Sequence, residues 1–550
     1  MELVHKPDVV IVGSGAGGAS AAWRLVQEGV RVLILEAGPR FTAFEDYPLD
    51  NPDWEKKPFP VKKGSQSQVE FGDLGTLHRK DADLRGWSKN LRSNRPPTGE
   101  KRRPQAPGYS HVQGVGGSTL HFVGEAQRFH PQAFQLATAP AEQVVWPITY
   151  EDIEPFYGQV ETDIGVAGSG DADGRWRSTP FPMPPHPVSP GGQALLQSDA
   201  NWRVNARAVN SKPYDDRPAC NYCGQCSRGC PLGDKGSADV TFIRKAEETG
   251  LLTVISDAPV QRLLADASGR ISHVEFVKNG ETQRVETPTL ILAAGAVQTP
   301  RLLLLSATTA QPNGLANGSG QVGRNFMETL WWNSAGLVPG LSNSHMGLPA
   351  DLVNWTHAKP GAVDGVVGGF KLTHNTLDLG LNGPIAFASR VVGGIGADLK
   401  RQVRETFGSA LAISAVGQVI PDERSFVALS QNKRDAYGQP IAQINSVLTE
   451  NSLQLLRHMA EATRNALKAC GAEIVEEDSC WDRFRSSHVF GTARMGHDSV
   501  TSVVDAFGQS HDHDNLWIAD ASVMPSSGAG EAPALTIMAL AARGAEQILK

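Results

Sequence analysis

Apolar residues near the start of the chain fall into two short runs that flank a glycine-rich segment. The run from Asp8 to Val12 predicts a buried parallel strand, and the stretch from Ala16 to Glu28 has the composition of a helix that ends at Gly29. A second apolar strand, Arg31 to Leu35, leads directly to Glu36. This order predicts one βαβ unit of a doubly wound sheet.

The hydrophobic pattern changes along the rest of the chain. Alternating strands are expected between Leu252 and Leu292, whereas residues 336–482 have the pattern of short strands around turns, with a helix candidate at 452–469. The last segment, 488–550, contains an apolar strand at 516–519 and a closing helix, so we expect it to rejoin the first domain. A polar stretch at about 39–107, rich in proline and glycine, is typical of a long surface excursion or lid. The pattern predicts an α/β protein with a second, sheet-based domain.

Length and charge exclude several classes of protein. A chain of 550 residues is long enough for two to four domains. It carries 51 Lys and Arg against 58 Asp and Glu, a net charge of -7, and phosphate binding needs a basic excess, so nucleic acid is not an expected partner. The basic stretch Lys101-Arg102-Arg103 is short and is interpreted as a solvated loop. The apolar run Val9-Val10-Ile11-Val12 comes almost at once, which leaves no room for an export signal, and no apolar run is long enough to span a membrane.

The glycine-rich segment has the spacing of a dinucleotide-binding turn. In GSGAGG, Gly13 permits a tight turn, Gly15 lets the backbone approach a pyrophosphate, and Gly18 lets the helix pack on the strand. Glu36 lies eighteen residues after Gly18, where its carboxylate can accept hydrogen bonds from ribose hydroxyls. The segment predicts dinucleotide binding and does not by itself separate FAD from NAD.

Four of the six cysteines lie within eleven residues, with the spacing C-x2-C-x2-C-x3-C-P that bacterial iron–sulfur proteins use. Such clustering favours a metal or cluster site over a disulfide framework. Structural zinc is the alternative, although zinc sites usually pair two short cysteine hairpins across a longer loop. A redox-inert cluster that only stabilises the fold of the loop is a further alternative. Cys470 and Cys480 are interpreted as core thiols. The predicted ligands are Cys220, Cys223, Cys226 and Cys230.

Five motifs in a fixed order carry a resemblance over nearly the whole chain. The glycine turn with its following EAGP precedes GVGGSTLH (114–121), GAVQTP (295–300), HVFGTARMG (488–496) and ADASVMP (519–525). In this order the motifs resemble the glucose-methanol-choline (GMC) oxidoreductase family. The segment YDDRPACNYCGQCSRGCP resembles the iron–sulfur branch of that family, which includes glucose, fructose and gluconate dehydrogenase subunits and glucoside 3-dehydrogenases.

The resemblance implies a cofactor, a fold and a set of contacts. It implies FAD in a Rossmann-like domain, with the isoalloxazine ring near the GVGGSTLH turn and the substrate between that ring and an α+β substrate domain built on an antiparallel sheet. His121 matches a position where some sugar oxidases attach FAD covalently, and packing against the flavin is the favoured interpretation. The predicted bounds are 1–185, 212–335 and 483–550 for the FAD domain, with the cysteine loop at 218–232, and 186–211 and 336–482 for the substrate domain. The further implied cofactor contacts are Gly116, Gly117, Ser118, His121, Val260 and Asp520.

His488 matches the active-site histidine of the family. An alcohol gives up hydride readily only as its oxygen loses a proton, so a base here lowers the barrier while flavin N5 accepts the hydride. Most members place a second His or Asn where this chain has Ala532. The adjoining Glu531 supplies the missing group, or another domain does, or the chemistry is atypical. Glu531 also fits the description of a helix-start carboxylate.

The sequence therefore predicts an FAD-dependent dehydrogenase that oxidises an alcohol carbon of a sugar, polyol, glycoside or sugar acid. We expect electrons to leave through the cluster to a cytochrome-type acceptor. Some relatives hold a 3Fe-4S cluster with cysteines that match Cys220, Cys226 and Cys230, and Cys223 is additional here, so a 4Fe-4S cluster is equally open. Relatives work with a small partner subunit that often carries the export signal, which implies a periplasmic location by co-export, or a cytoplasmic one.

Two other functions stay open at this point. One is an oxygen-using sugar oxidase with a structural cysteine site. The other is a catalytically silent electron-transfer or scaffold subunit, which the missing partner at Ala532 motivates. Trp331 and Trp332 are candidates for stacking on a sugar, although paired tryptophans are more often core residues.

Overall fold

A computed structural model describes residues 6–43, 45–47, 69–74, 79–84, 86–88, 108–109, 111–139, 142–170, 175–359, 361–377, 381, 383–480 and 485–550. Much of the predicted excursion at 39–107, and all of Lys101-Arg102-Arg103, lies outside these residues. The described helices are α1 (Ala16–Val26), α2 (Tyr150–Ile164), α3 (Pro190–Ser198), α4 (Arg244–Glu248), α5 (Gly295–Leu305), α6 (Pro384–Arg390), α7 (Gly396–Thr406), α8 (Glu450–Ala469) and α9 (Ala534–Ile548). Every one of these described helices is too short or too polar to cross a bilayer.

The described strands are β1 (Val9–Val12), β2 (Val32–Leu35), β3 (Val69–Phe71), β4 (Trp87–Ser88), β5 (Gly108–Tyr109), β6 (Gln135–Ala139), β7 (Glu142–Val145), β8 (Trp202–Val204), β9 (Leu252–Ile255), β10 (Val260–Ala265), β11 (Ile271–Lys278), β12 (Glu281–Glu286), β13 (Thr289–Leu292), β14 (Met327–Glu328), β15 (Leu330–Leu337), β16 (Leu352–Asn354), β17 (Phe370–His374), β18 (Ala410–Gly417), β19 (Phe426–Arg434), β20 (Pro440–Asn445), β21 (Glu473–Ser479), β22 (Arg485–Ser486), β23 (Val489–Phe490) and β24 (Leu516–Ile518).

A parallel sheet forms the centre of the first domain. Its strand order is β24-β13-β1-β2-β9, and every neighbouring pair is parallel. Strands β1 and β2 are buried along their whole length, as strands covered on both faces must be. Helix α1 connects them and packs against α9, so the closing helix does rejoin the first domain. The predicted βαβ unit and Rossmann-like domain are confirmed.

An antiparallel sheet forms the core of the second domain. Its order is β4-β21-β15-β18-β17-β16-β8, and the neighbouring strands are antiparallel throughout. Helix α8 packs on one face, where the hydroxyls of Ser334 and Thr463 lie 2.8 Å apart. This helix begins two residues before the predicted start because the Thr449 hydroxyl caps it by accepting from Ser452 N at 3.2 Å. The predicted α+β architecture is confirmed, and its exact domain bounds stay a prediction.

The two tryptophans of β15 point to opposite faces of this sheet, because side chains alternate along a strand. Trp332 is fully buried on the α8 side, where the Arg464 guanidinium lies 5.5 Å from its ring centroid. Trp331 is partly exposed on the other face, in register with Val416 of β18 and, through it, with Lys371 of β17. Trp332 is therefore a core residue, and Trp331 is the one that remains available for stacking.

Candidate active site

The glycine turn after β1 shapes an open cradle. Gly13 has a positive φ of 98°, which glycine adopts without strain. A Cβ on Gly18 would collide with the Gly13 carbonyl and lie 3.1 Å from the Ala293 Cβ, so glycine at this position lets α1 pack against the sheet. At Gly15, a Cβ would meet nothing nearer than the Gly117 Cα at 3.9 Å. Space therefore remains beside Gly15 for phosphates at the start of α1.

This cradle opens into a cleft of about 1330 Å³, counting its mouth. The cleft lies at the carboxyl ends of β1, β2 and β13, the edge at which open α/β sheets bind nucleotides. Its glycine-rich lining at the start of α1 fits FAD, which the predicted contacts would hold. The predicted contacts that line the cleft are Gly13, Gly15, Glu36, Gly117, Ser118, Val260 and Asp520.

Glu36 links two glycine-rich turns. Its buried carboxylate accepts hydrogen bonds from Ser14 N at 3.0 Å, Ser14 Oγ at 2.6 Å, Gly38 N at 3.0 Å and Gly114 N at 3.1 Å. The Ser14 hydroxyl in turn accepts from Gly116 N at 3.1 Å. Burial raises the pKa of Glu36, although these donors act in the opposite direction. Glu36 therefore orders the floor of the cleft, in addition to lying where a ribose would bind.

Replacing Glu36 with alanine should weaken FAD binding by about 10- to 100-fold, because hydrogen bonds to a charged group contribute about 1.5–3 kcal/mol. Titration of the apoprotein with FAD, followed by flavin fluorescence, measures this effect. Glu28 is exposed after α1, so Glu28→Ala is the matched control and should bind FAD like the wild type. Equal affinities of the two variants would contradict the role assigned to Glu36.

Asp520 closes the opposite wall of the cleft. It accepts hydrogen bonds from Gly295 N at 2.9 Å, Thr299 Oγ1 at 2.6 Å and Ser522 N at 2.8 Å. Burial raises the pKa of this carboxyl, and the three donors oppose that effect. These contacts fix the start of α5 beside the cleft, and contact between Asp520 and the flavin stays a prediction.

His121, Gly18 and Gly116 are predicted contacts that do not line the cleft. His121 follows the short helical turn Gly117–Leu120, and its backbone N–H donates to the Ser118 carbonyl at 3.1 Å. The two glycines lie behind the lining, where they shape the turns. Contact between His121 and the flavin stays a prediction.

Sequence patterns do not predict two aromatic residues of the cleft, Tyr109 and His111. Both line it, and their rings are stacked with centroids 5.5 Å apart. The buried Tyr109 hydroxyl has no hydrogen-bond partner among the described residues, so a bound cofactor would satisfy it. Burial raises the pKa of Tyr109 and lowers the pKa of His111 to about 4, which keeps both side chains neutral. The only signal in the sequence is their place directly before the second glycine turn.

His488 lies between two residues that line the cleft. Thr329 N donates to the His488 carbonyl at 3.2 Å, which joins this segment to the start of β15. Burial lowers the pKa of the imidazole to about 4, with a contribution from the Lys371 ammonium and against the effect of the Glu125 carboxylate. The ring is neutral at neutral pH, which is the form that a general base requires. The residues on either side of it that line the cleft are Ser487 and Val489.

The low pKa of His488 predicts that kcat/KM falls on the acid side of its pH profile (the acid limb) only at unusually low pH. If this imidazole is the base, kcat/KM for alcohol oxidation should stay level as the pH falls through 6.5, the ordinary histidine value, and should drop only near about pH 4. Protonation removes the acceptor, so activity is lost on the acid side. Initial rates with a dye acceptor measure the profile, and enzyme returned to neutral pH checks that it has not denatured. A fall in kcat/KM centred near pH 6.5 would show that burial does not set the pKa of the base.

A network of buried side chains surrounds the position of Ala532. Lys371 Nζ donates to Glu125 Oε2 at 2.7 Å and to Gln127 Oε1 at 2.8 Å. The same Gln127 oxygen accepts from Ala532 N at 3.2 Å. Asn205 bridges the two acceptors, since Gln127 Nε2 donates to Asn205 Oδ1 at 2.8 Å and Asn205 Nδ2 donates to Glu125 Oε1 at 2.9 Å. Burial acts to raise the pKa of Glu125, but the charges of Lys371 and Arg207 and the hydrogen bonds from Lys371 and Asn205 together hold that pKa below its usual value.

The Glu531 carboxylate forms a buried ion pair with the Arg175 guanidinium. Its fully buried carboxylate also accepts from Ala529 N at 2.7 Å and from His130 N at 3.3 Å. Arg175 stacks over the ring of Trp355, 3.8 Å from its centroid. Both carboxylate oxygens are engaged within the protein, so this geometry supports a structural role and lends no support to the predicted catalytic one.

Within the described residues, the four cysteines of the 218–232 loop form no disulfide. Cys230 Sγ donates to Asp234 Oδ1 at 2.9 Å, and Cys220 Sγ accepts from Tyr222 N at 3.3 Å. Burial raises the pKa of Cys226 to about 11, and burial together with Asp234 raises the pKa of Cys230 to about 12. Within the described part of the chain, no three His, Cys, Asp or Glu side chains are placed to hold a metal ion. The predicted metal site is not confirmed.

Two buried cations lie beside this loop. Lys235 Nζ donates to the carbonyls of Leu120, Phe122 and Cys226, each at 2.9 Å, and so attaches the loop to the GVGGSTLH turn. Arg207 is 1% exposed, and among the described residues its Nε and Nη1 have no hydrogen-bond partner. Both charges act to lower the pKa of Cys226 against the effect of burial. The loop therefore lies next to the predicted flavin turn, with the cations Lys235 and Arg207 and the carboxyl group of Asp234 beside it.

Family models and curated relatives agree with this architecture. Models described as GMC oxidoreductase match residues 114–330 and 421–541, and an NAD(P)-binding Rossmann-like domain model matches residues 11–66. The chain is similar to the fructose dehydrogenase large subunit of Gluconobacter japonicus, with 28% identity over 98% of this chain and 97% of the relative. It is also similar to 2-methyl-1,2-propanediol dehydrogenase of Mycolicibacterium austroafricanum, with 27% identity over 99% of this chain and 95% of the relative.

A solved structure, pyridoxine 4-oxidase from Mesorbium loti, has the same fold. It superposes with a TM-score of 0.62 and 18% identity over 98% of this chain and 99% of that protein. At this identity the likeness concerns the fold alone.

Proposed function

The chain belongs to the GMC oxidoreductase family of flavoenzymes, and from this membership we propose that it is an FAD-dependent dehydrogenase acting on an alcohol carbon of a sugar, polyol, glycoside or sugar acid. One observation carries the proposal: His488, whose imidazole is neutral, lies between Ser487 and Val489, two residues of the cleft that the predicted flavin contacts line. Two relatives whose names specify fructose and a diol support the alcohol class.

His488 is the proposed acceptor of the substrate's hydroxyl proton. Bound FAD supplies the hydride acceptor at its N5. As the C–H bond breaks, the O–H bond must break too, or negative charge accumulates on the oxygen. The alcohol thus loses a proton to the imidazole and two electrons with the hydride, which leaves a carbonyl.

A polar row on the second sheet supports a substrate with several hydroxyls. Asn375 Nδ2 donates to Ser414 Oγ at 2.7 Å, and the Ser414 hydroxyl donates to Asn333 Oδ1. Asn333 lies two residues after Trp331 and therefore on the same face. Amides and hydroxyls bind sugar hydroxyls, and an indole ring stacks on the apolar face of a sugar.

A screen of sugars and polyols against the FAD-loaded protein, without oxygen, tests this function. We expect a substrate to bleach the visible flavin absorbance, a dye acceptor to restore it quickly, and air to restore it slowly. Fast peroxide formation on mixing with air would identify the oxidase. Failure of every alcohol to bleach the flavin would favour a silent electron-transfer or scaffold subunit.

We propose further that Cys220, Cys223, Cys226 and Cys230 hold an iron–sulfur cluster, 3Fe-4S or 4Fe-4S. Their spacing supports this, as do the buried cations Arg207 and Lys235, because a cluster with its thiolates is anionic. Such a cluster would supply one-electron transfer to a cytochrome-type acceptor. The contact through Lys235 between this loop and the second glycine turn is the reason to place an electron exit there.

Iron and sulfide analysis of anaerobically reconstituted protein tests the cluster. We expect about three or four irons per chain and a low-temperature EPR signal in one redox state. Cys226→Ser should lose the iron, whereas Cys480→Ser, outside the loop, should keep it. Stoichiometric zinc without iron would support the structural zinc alternative, and a protein that takes up neither metal would remove the cluster from the proposal.

A small partner subunit and a periplasmic location by co-export complete the proposal, with a cytoplasmic location as the alternative. The support is a relative whose name describes it as a large subunit. Fractionation of cells that express the chain with and without a co-encoded small protein tests both parts. We expect periplasmic activity only when both are present.

A further inference from the structure

The fold brings a lysine to the place where Ala532 offers no polar side chain. The Ala532 N–H donates to Gln127 Oε1, and the Lys371 ammonium donates to the same oxygen. Gly530 also lies against this lysine, since a Cβ there would be 3.4 Å from the Lys371 Cγ. Only one amide group therefore separates the ammonium from the backbone of position 532.

Strand register brings Lys371 close to the His488 segment. Lys371 pairs with Val416, which pairs with Trp331, so the three side chains share the face opposite to α8. Thr329, just before β15, bonds to the His488 carbonyl. Strands β15 and β17 are two strand spacings apart, roughly 10 Å, and the Lys371 ammonium is near enough to His488 to act on the pKa of its imidazole.

The Lys371 ammonium has one N–H that no described acceptor engages, and it belongs to a buried cluster with a net positive charge. An ammonium has three donors, and two are used by Glu125 and Gln127. Among the described residues the third has no acceptor. The carboxylate of Glu125 faces two buried cations, Lys371 and Arg207, so this cluster carries an excess positive charge.

We propose that Lys371 is the second polar group of the active site, in place of the side chain missing at Ala532. Its third N–H donates to the substrate oxygen and stabilises the negative charge that grows there as the proton moves to His488 and the hydride leaves the carbon. Lys371 keeps its own proton throughout. Glu125 and Gln127 are positioning residues that orient the ammonium. This inference rests on the proposed function.

Lys371→Met tests the proposal in the FAD-loaded protein. We expect the rate constant for anaerobic flavin reduction to fall about 100-fold, and kcat and kcat/KM to fall together, because the contact strengthens in the transition state. Lys371→Arg should recover at least about tenfold of the loss, since it restores a cation with donors. Lys400→Met, an exposed lysine on α7, is the control and should match the wild type.

A second measurement does not depend on turnover. Acetate, titrated while the visible flavin spectrum is followed, places an anion near the ammonium. Its affinity should fall at least about tenfold in Lys371→Met and stay unchanged in Lys400→Met. If Lys371→Met does not load FAD, Glu125→Gln serves instead, because it removes the opposing charge and should strengthen acetate binding by about tenfold.

Wild-type reduction rates in Lys371→Met, or acetate affinities that do not respond to either substitution, would overturn the proposal. If no alcohol reduces the wild-type flavin but acetate binding still depends on Lys371, the proposed function fails while the lysine site stands. The two failures are therefore distinguishable.

Discussion

His488→Asn is expected to reduce its flavin about 10³-fold more slowly than the wild type, with FAD still bound. General base catalysis contributes about 10²- to 10⁴-fold, and asparagine can hydrogen-bond the substrate hydroxyl but cannot take its proton. Rapid mixing with substrate in the absence of oxygen, followed by visible flavin absorbance, measures the rate constant. The cofactor content should not change, because the residues that hold the cleft together, such as Glu36 and Asp520, are untouched.

His497 provides the matched control for this substitution. It is exposed in the turn that follows the same motif, so His497→Asn should reduce its flavin at the wild-type rate. The acid limb expected near pH 4 should also disappear in His488→Asn, because the titrating group is gone. A substitution at His488 that left both the rate and the acid limb intact would place the base elsewhere.

Local spacing made the cofactor cleft predictable from the sequence. Gly13, Gly15 and Glu36 lie within one βαβ unit, and backbone geometry over so short a distance follows from residue type. Tyr109 and His111 line the same cleft, but no local spacing in the sequence marks them, because their contacts come from packing between distant segments. Sequence motifs mark positions where the backbone conformation requires a particular residue type, and Tyr109 and His111 do not occupy such positions.

The role proposed for Lys371 depends on a contact that proximity in sequence does not reveal. Glu531 adjoins Ala532 in the chain, yet its carboxylate is directed to Arg175. Lys371 is far away in sequence and reaches the Ala532 backbone through one glutamine, because three antiparallel strands set its register. No periodicity in the sequence marks such a juxtaposition, since it depends on which strands become neighbours.

Glu531→Gln should lower the free energy of unfolding by about 3–5 kcal/mol, while each flavin-loaded molecule keeps its rate of reduction within about threefold. Loss of the carboxylate leaves the Arg175 guanidinium buried without its counter-charge, and that group cannot move readily to solvent because it stacks on Trp355 and donates through Nε to the Arg128 carbonyl at 2.7 Å. Urea denaturation measures the stability, and anaerobic flavin reduction measures the chemistry.

An exposed ion pair supplies the comparison that separates the two interpretations of Glu531. Glu405 pairs with Arg401 on the surface of α7, and Glu405→Gln should cost no more than about 1 kcal/mol. If Glu531 acted on the substrate, its replacement would instead slow flavin reduction by orders of magnitude and leave stability near that of Glu405→Gln. Because the charge on Glu531 is already matched within the protein, we expect the loss in stability and not the loss in rate, and the active site is then left to His488 and Lys371.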